Sequence, residues 1–324
     1  MKESEIIEDN LPPANSPRIV FMGTPAFAVS SLDALVQARY NVVSVITAPD
    51  KPAGRGMTMQ QSAVKLYAIE HNIPVLQPEK LKDPSFIDLL RDLNADLQVV
   101  VAFRMLPEIV WNMPPLGTIN VHGSLLPQYR GAAPINWAVI NGEKETGVTT
   151  FKLQHAIDTG NVLLQEKMPI GENETAGEVH DRMMLLGAQV LVKTIKGLMD
   201  NSIAEKSQDE NSTIAEHQLK HAPKIFTETC RINWEQTADA VHNLIRGLSP
   251  FPGAFTTLND RMLKIYRSEK VIDKKSSEPG KMETDGKTFL KFACKEGFIL
   301  VKELQLEGKK RMDVASFLRG HRFA

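Results

Sequence analysis

The chain has 324 residues, of which 42% are hydrophobic and 24% are charged, and its formal net charge is −1. This is the composition of a globular protein, and no apolar run is long enough for a membrane-spanning helix, which excludes that class of membrane protein. The only cysteines, Cys230 and Cys294, form neither a CxxC spacing nor a disulfide framework, so we expect two core thiols.

The first 17 residues, MKESEIIEDNLPPANSP, are acidic and rich in Pro. They lack the basic start and the apolar core of a secretion signal. We therefore expect residues 1–17 to form a disordered extension, the chain to act in the cytoplasm, and no membrane to be a partner.

Strands alternate with helical patterns after residue 17. The predicted strands are RIVFMG (Arg18–Gly23), YNVVSVIT (Tyr40–Thr47), IPVLQP, DLQVVVAF (Asp96–Phe103) and GTINVH, which ends at His122. This alternation predicts βαβ units and a parallel sheet, and the near-continuous apolar run DLQVVVAF is typical of a strand covered on both faces.

The pattern continues with a helix, two strands joined by the turn IDTG, and a long helix at about Ala176–Met199. A polar segment, residues 204–222, resembles a linker. Short strands with turns at EPGK, TDGK and LEGKK then predict a small β-barrel. We expect domains at 18–203 and 223–324 on either side of this linker.

Charge is distributed unevenly. Residues 222–324 contain 19 basic and 13 acidic residues, a net charge of +6, whereas residues 1–221 contain 19 and 26, a net charge of −7. A basic C-terminal third is a weak indication of a nucleic-acid partner, because many soluble surfaces carry a similar charge.

Asn120 and His122 end the predicted strand GTINVH. Side chains alternate along a strand, so these two share one face, and parallel sheets bind ligands beyond the carboxyl ends of their strands. Histidine exchanges protons near neutral pH, and an asparagine amide donates hydrogen bonds without charge, which suits a developing oxyanion. The alternative is a hydrogen-bonded structural histidine beside a turn-forming asparagine.

Asp158 lies in AIDTGNV. Asp-Thr-Gly is favourable turn chemistry, so one interpretation is a β-turn. The other is a carboxylate that orients the imidazole or favours its charged form. Aspartic proteases also contain Asp-Thr-Gly, but a single copy in an α/β context argues against a protease.

The segment DKPAGRGM, residues 50–57, carries Lys51 and Arg55 among Pro and Gly residues. It is either a solvated loop or a mobile basic segment that contacts phosphates. The chain contains no GxGxxG and no GxxxxGK, so neither phosphate-binding loop is predicted and a Rossmann dehydrogenase is disfavoured.

The stretch INVHGSLLPQYRGAAPINWAVINGEKETGVT, with the IDTG that follows, closely resembles the methionyl-tRNA formyltransferases, a branch of the folate-dependent formyltransferases. RIVFMGTPAFA, TAPDKPAGRG, SPFPGAFT and the basic β-rich end are similar to the same family. The resemblance covers nearly the whole chain after residue 17. Asn-x-His with SLLP-x-x-RGAAP is specific for formyltransferases, and PAGRG with the C-terminal barrel selects their tRNA-directed members.

The resemblance implies a Rossmann-like catalytic domain and a C-terminal OB-like β-barrel that binds tRNA. It implies formyl transfer from 10-formyltetrahydrofolate to the α-amine of methionine on initiator tRNA, without a metal, and we expect a monomer. By motif, Asn120, His122 and Asp158 are catalytic, and Lys51 and Arg55 reach the tRNA acceptor end. The residues that resemble the family's folate-binding segment are Ser124, Leu125, Leu126 and Pro127.

Two stretches depart from the family pattern. VAFRMLP (Val101–Pro107) carries Arg104 near the usual Gly and is one residue shorter than the usual VVAYGxILP. The family's segment lies near the pterin, so folate contacts do not transfer there by motif. The turn before Asp158 carries QHA where an acidic-Gly sequence is common, and no role transfers to His155.

Two alternatives to this function stay open. A formyltransferase acting on a nucleotide sugar or a purine precursor would share INVHGSLLP but would not need PAGRG or a basic barrel. A catalytically inactive RNA-binding protein belongs to a different class, and the presence of all three catalytic candidates argues against it.

Overall fold

The computed structural model describes residues 16–53, 57–208, 218–273 and 278–320. Nearly all of the predicted extension, the centre of the predicted linker and Arg55 lie outside these residues. The chain divides into two compact units: the first comprises Met1–Pro127, Gly147–Lys167 and Asp181–Leu219, and the second comprises Gln128–Thr146, Met168–His180 and Lys220–Ala324.

Both units combine strands with helices. The strands, in chain order, are β1 (Arg18–Gly23), β2 (Asn41–Ile46), β3 (Lys51–Ala53), β4 (Thr58–Gln60), β5 (Val75–Leu76), β6 (Leu97–Val101), β7 (Thr118–His122), β8 (Arg130–Gly131), β9 (Glu145–Lys152), β10 (Val162–Pro169), β11 (His221–Ala222), β12 (Ala254–Leu258), β13 (Arg261–Ile272), β14 (Met282–Thr284), β15 (Leu290–Cys294), β16 (Gly297–Leu306) and β17 (Met312–Asp313). The helices are α1 (Ala26–Gln37), α2 (Ala63–Glu70), α3 (Pro84–Asp92), α4 (Glu108–Trp111), α5 (Pro134–Ile140), α6 (Ala176–Met199), α7 (Ala238–Gly247) and α8 (Val314–Gly320), with a 3-10 helix at Glu228–Cys230.

The first unit is built on a seven-stranded sheet of order β10-β9-β7-β6-β1-β2-β5. The pairs β5/β2, β2/β1, β1/β6 and β6/β7 are parallel, and β9 is antiparallel to β7. The chain moves outward from β1 to β5 and then returns to place β6 and β7 on the other side of β1. This reversal is the switch point of a Rossmann-type sheet, and it confirms the predicted mostly parallel α/β fold.

Apolar runs form the centre of this sheet. Every residue of LQVVV in β6 is buried, as are all residues of β1 after Arg18. Such strands are covered on both faces. On one side, α3 begins at Pro84, where the Asp83 carboxylate accepts the backbone N–H of Ser85, and it buries its apolar residues in a core with β1 and β6. The long helix α6 has the predicted bounds.

The segment predicted as a loop around residue 50 contains a short antiparallel pair. Strands β3 and β4 pair with Lys51 opposite Gln60 and Pro52 opposite Met59. All four of these residues are exposed. Strands of three residues without a buried face carry no hydrophobic alternation, which is why the sequence pattern did not indicate them.

The second unit contains an antiparallel sheet of order β12-β13-β16-β15-β14, with β17 paired to β16. Its longest pair, β13 with β16, shifts register around Arg267, and such irregularities bend a strand. Helix α7 packs its buried face on the same core as the sheet. This curled antiparallel sheet confirms the prediction of a C-terminal OB-like domain.

Both cysteines lie in this core. Cys230 and Cys294 are free and buried, which confirms the prediction of core thiols, and burial raises the pKa of each. Within the described ranges, no helix combines the length and the apolar character needed to cross a membrane.

Candidate active site

Strand β7 ends on two polar side chains, a half-buried Asn120 and a His122 that is 7% exposed. Asn120 lies beside Val100 in the parallel register with β6. Because β6 ends one residue later, His122 lies just beyond the carboxyl end of its neighbour. The structure therefore places both residues at the edge of the sheet where α/β proteins bind ligands.

Strand β9 completes the surroundings of this pair. Thr149 lies opposite His122 and Phe151 lies opposite Asn120 in the antiparallel ladder. Opposite residues of such a ladder point to the same face. The Phe151 ring meets the His122 ring edge-on, with centroids 6.4 Å apart and planes at 78°. The two candidate catalytic residues thus share their face with a buried aromatic ring and a buried hydroxyl group.

The segment that follows His122 is fixed by side chains of β9 and β10. The Thr149 hydroxyl donates to the Ser124 carbonyl at 2.6 Å and accepts the Leu126 N–H at 3.1 Å. The Gln165 amide donates to the Leu126 carbonyl at 2.8 Å and to the Thr149 hydroxyl at 2.9 Å. Ser124, Leu126 and Thr149 are buried. These bonds hold the predicted folate-binding segment beside the face that carries His122.

Asp158 is half-buried in the turn between β9 and β10, with a φ of 55°. The buried Gln208 side-chain amide donates to the backbone carbonyl of Asp158 at 2.9 Å and to that of Gly160 at 2.8 Å. A Cβ at Gly160 would lie 1.6 Å from the Lys152 carbonyl oxygen, so only glycine fits there. These contacts fix the turn that carries Asp158. The turn directly follows β9, the strand that pairs with β7.

His155, in the same turn, contacts helix α4. Its Nε2 lies 3.2 Å from a carboxylate oxygen of Glu108, and its ring meets Trp111 edge-on with centroids 5.5 Å apart. The His155 ring and the Glu108 carboxylate are both exposed, and an exposed pair of this kind stabilises a fold by at most about 1 kcal/mol. The contact therefore orients the turn more than it stabilises the unit.

The segment Val101–Pro107, which departs from the family pattern, is braced by Arg104. Its guanidinium donates to the Glu79 carbonyl at 2.8 Å and to the Pro78 carbonyl, and it lies over the Phe103 ring at 5.4 Å. Burial lowers the pKa of Arg104 from its usual value. The guanidinium of Arg104 thus binds two backbone carbonyls. Met105, the next residue, is 75% exposed.

The structure describes one of the two predicted tRNA-binding residues. Lys51 is exposed at the start of β3, whereas Arg55 lies outside the described residues. The role of both in binding tRNA stays a prediction.

Chemically, one face of β7 offers the Asn120 amide and the His122 imidazole, and the turn after its partner strand β9 carries the Asp158 carboxylate. Hydrogen-bond donors together with a group that exchanges protons suit a reaction that passes through an oxyanion. Across the ranges that the structure describes, no cluster of three or more His, Cys, Asp and Glu side chains could hold a metal ion.

Comparison with known families assigns the class of protein. The sequence model of the family described as formyl transferase matches residues 17–195, and that of the formyl transferase C-terminal domain matches residues 224–322. The chain therefore belongs to the formyl transferase family, and it is an enzyme.

Curated relatives indicate one branch of this family. The methionyl-tRNA formyltransferase of Bacteroides thetaiotaomicron is 53% identical over 95% of this chain and 96% of that protein. The methionyl-tRNA formyltransferase of Phocaeicola vulgatus is 55% identical over 94% of this chain and 96% of that protein. The resemblance to the methionyl-tRNA formyltransferases noted in the sequence is confirmed.

Solved structures share the fold. WlaRD, a sugar 3N-formyl transferase determined in the presence of dTDP and 5-N-formyl-THF, has a TM-score of 0.66 at 21% identity and covers 92% of this chain and 100% of its own. HypX from Aquifex aeolicus, determined with tetrahydrofolic acid, has a TM-score of 0.63 at 16% identity and covers 94% of this chain and 47% of its own. At these identities the similarity shows the fold alone.

Three side chains that hold the site were not predicted from the sequence: Thr149, Gln165 and Gln208. The strand GVTTFKL alternates so that residues 149 and 151 share a face, and this alternation could have indicated Thr149. Gln208 lies in the polar segment predicted as a linker, where no pattern marks one residue.

Proposed function

We propose that the chain transfers a formyl group from 10-formyltetrahydrofolate to the α-amino group of methionyl-initiator tRNA. The observation that carries this proposal is the Asn120–His122 pair on one face at the end of β7, beside a segment fixed by Thr149. The identity of more than 50% with methionyl-tRNA formyltransferases over nearly the whole chain supports it.

In this mechanism the neutral amine of methionine attacks the formyl carbon and creates a tetrahedral intermediate with a negatively charged oxygen. The Asn120 amide and the protonated His122 ring donate hydrogen bonds to that oxygen. One such donor lowers a barrier by about 3–4 kcal/mol. Neither residue forms a covalent bond with the formyl group.

Asp158 supplies the negative charge for this step. Its carboxylate receives the proton of the attacking amine, directly or through a water molecule. Collapse of the intermediate breaks the bond from the formyl carbon to the donor nitrogen, and this nitrogen takes up the proton that the attacking amine released. The chain's residues thus stabilise charge and move protons.

The surroundings of Asn120 and His122 fit a folate co-substrate. At the end of β6, the neighbour of β7, Ala102 is exposed with a φ of 48°, and the Met105 side chain is 75% exposed. Ligand sites for flat heteroaromatic rings combine such apolar surface with a few fixed polar groups. We assign these residues and the Ser124–Pro127 segment to folate binding, with 10-formyltetrahydrofolate as the formyl donor.

The Thr149 hydroxyl provides a test of this assignment. Thr149→Val keeps the shape of the side chain and removes the bonds to Ser124 and Leu126, so we expect the KM for the folate donor to rise about tenfold, as for loss of a buried hydrogen bond. The matched control is Thr150→Val, because Thr150 is equally buried but bonds Thr194 instead. An equal change in both variants would contradict a specific role for Thr149.

Basic residues support tRNA as the acceptor of the formyl group. Lys51 lies in β3, Arg55 follows it by four positions in the sequence, and residues 222–324 carry a net charge of +6. Basic surfaces bind nucleic acids chiefly through phosphates. We therefore assign Lys51 and Arg55 to the tRNA acceptor end and the C-terminal domain to the body of the tRNA.

Arg55→Ala tests the acceptor assignment. We expect the KM for tRNA to rise, the KM for the folate donor to stay unchanged, and the slope of log Kd against log salt to fall by about one, as for loss of one phosphate contact. The control is Arg91→Ala on α3, where Arg91 pairs with Asp88 on the surface. An unchanged KM and salt slope in Arg55→Ala would show that the arginine is only solvated.

The reaction itself is tested with labelled 10-formyltetrahydrofolate and methionyl-initiator tRNA. Alkaline release of the amino acid followed by mass spectrometry should give N-formylmethionine, and none should form without the folate. Folate consumption without formylmethionine would contradict the proposed acceptor.

The proposal also includes the organisation of the chain. We assign 18–203 to a catalytic domain, 204–222 to a linker and 223–324 to a tRNA-binding domain, in a monomer that acts in the cytoplasm. The two family matches, 17–195 and 224–322, support these bounds. Sedimentation equilibrium of the full chain at micromolar concentration tests the monomer, and a dimer mass would contradict it.

A further inference from the structure

The second unit contains a cavity of about 520 Å³ that the proposed reaction does not use. This volume falls within the range of sites for small organic groups. Much of its lining is apolar, and the lining includes the side chains of Phe226, Phe251, Phe255 and Met262. The cavity therefore suits a flat apolar group of the size of an aromatic ring system.

Two of these aromatic rings are strongly exposed. Phe226 is 59% exposed and Phe251 is 81% exposed, although both line one cavity. Single exposed apolar side chains are common, but two exposed rings at one concave site indicate a surface for binding.

The backbone beside each ring is held in place. The Phe226 carbonyl accepts the Thr229 N–H at 3.1 Å and the Cys230 thiol at 3.3 Å. After Phe251, the Gly253 N–H donates to the Leu248 carbonyl at 2.8 Å. The rings are thus presented from ordered turns, which reduces the entropy lost when a ligand stacks on them.

The charge of the cavity is positive. Its lining includes Lys224 and Lys264, and no Asp or Glu is among the described residues that line it. The ammonium group of Lys224 lies 5.7 Å from the centroid of the Phe226 ring, whereas that of Lys264 donates to the Pro252 carbonyl at 2.8 Å. The exposed Lys224 is therefore the cation best placed for an anion beside a stacked ring.

We propose that this cavity binds one unpaired nucleobase of the tRNA substrate, stacked on Phe226 and Phe251, with Lys224 at a neighbouring phosphate. Apolar rings next to a lysine match a planar base on an anionic backbone, since single-stranded nucleic acids bind through base stacking and phosphate contacts. This inference rests on the proposed function, which supplies the RNA, and it adds a contact distinct from Lys51 and Arg55.

Phe226→Ala and Phe251→Ala test the stacking. In each variant we expect the Kd for methionyl-initiator tRNA, measured by fluorescence anisotropy, to rise about tenfold, as for loss of a stacked base, with kcat at saturating tRNA unchanged. Phe251→Trp should bind like the wild type, whereas Phe251→Leu should remain weak because it keeps apolar surface without a ring. The control is Ile272→Ala, an exposed apolar residue outside the cavity lining.

Two results would overturn the inference: a Kd within twofold of the wild type in both alanine variants, or full binding by Phe251→Leu. Binding and formylation are measured separately, so failure of the base site can be distinguished from failure of the proposed function. If the wild-type chain formylates methionyl-tRNA and the alanine variants bind it normally, only the base site fails. If the wild-type chain forms no formylmethionine, the proposed function fails.

A photo-cross-linking experiment locates the base directly. With Phe251→p-benzoylphenylalanine, irradiation in the presence of methionyl-initiator tRNA should join the protein to one nucleotide. Cross-links to a second copy of the chain, or cross-links spread over many nucleotides, would show that the cavity serves another purpose.

Discussion

His122→Ala is expected to slow single-turnover formyl transfer by at least about 100-fold, because it removes both an oxyanion donor and the positive charge of that donor. His122 is nearly buried at the end of β7 and packs edge-on against Phe151, so its donor is fixed before the substrate binds. Rapid-quench measurement with saturating methionyl-initiator tRNA isolates the chemical step. The Kd for tRNA should stay unchanged.

His122→Asn separates the hydrogen-bond donor of the imidazole from its positive charge. Asparagine donates a hydrogen bond but carries no charge, so this variant should retain more activity than His122→Ala. His71→Ala is the matched control, since His71 is exposed at the end of α2 and stacks on Tyr67. A near-normal single-turnover rate in His122→Ala would remove this residue from the catalytic assignment.

Asp158→Asn is expected to lower the single-turnover rate by at least about 100-fold through loss of the carboxylate alone. Asp158 has a φ of 55°, a conformation that Asn adopts readily and that most other residues disfavour. The bonds from Gln208 go to backbone carbonyls, so they survive this substitution. Asp158→Ala would combine charge loss with backbone strain and is the less informative variant.

Gln208→Leu is the companion experiment to Asp158→Asn. It leaves the Asp158 carboxylate in place and removes the two bonds that fix its turn, so a smaller loss of rate is expected. If Asp158→Asn has a normal rate while Gln208→Leu is impaired, the turn contributes through its structure and the carboxylate is not catalytic.

Much of the fold followed from local pattern. The apolar run of β6 indicated a strand buried on both faces, and alternation along GTINVH placed Asn120 and His122 on one face. The bounds of α6 were evident because its apolar residues recur at helical spacing over many turns. These are the properties that a chain encodes within a few neighbouring residues.

The remainder depends on contacts between distant residues. The pairing of Thr149 with His122 is set by the register of β9 on β7, which no short sequence pattern specifies. The hydrogen bonds of Arg104 to Pro78 and Glu79 join residues about 25 positions apart. Residues 128–146 belong to the second unit although they directly follow the segment after β7, so the units are interleaved along the chain.

The most direct test of the proposed function is a competition for one formyl donor. The wild-type chain is mixed with labelled 10-formyltetrahydrofolate, methionyl-initiator tRNA and a dTDP-linked amino sugar of the kind present in a structurally similar N-formyltransferase. We expect the label to appear on the methionine of the tRNA and not on the sugar amine. Label on the sugar, with the tRNA unmodified, would contradict the proposed function.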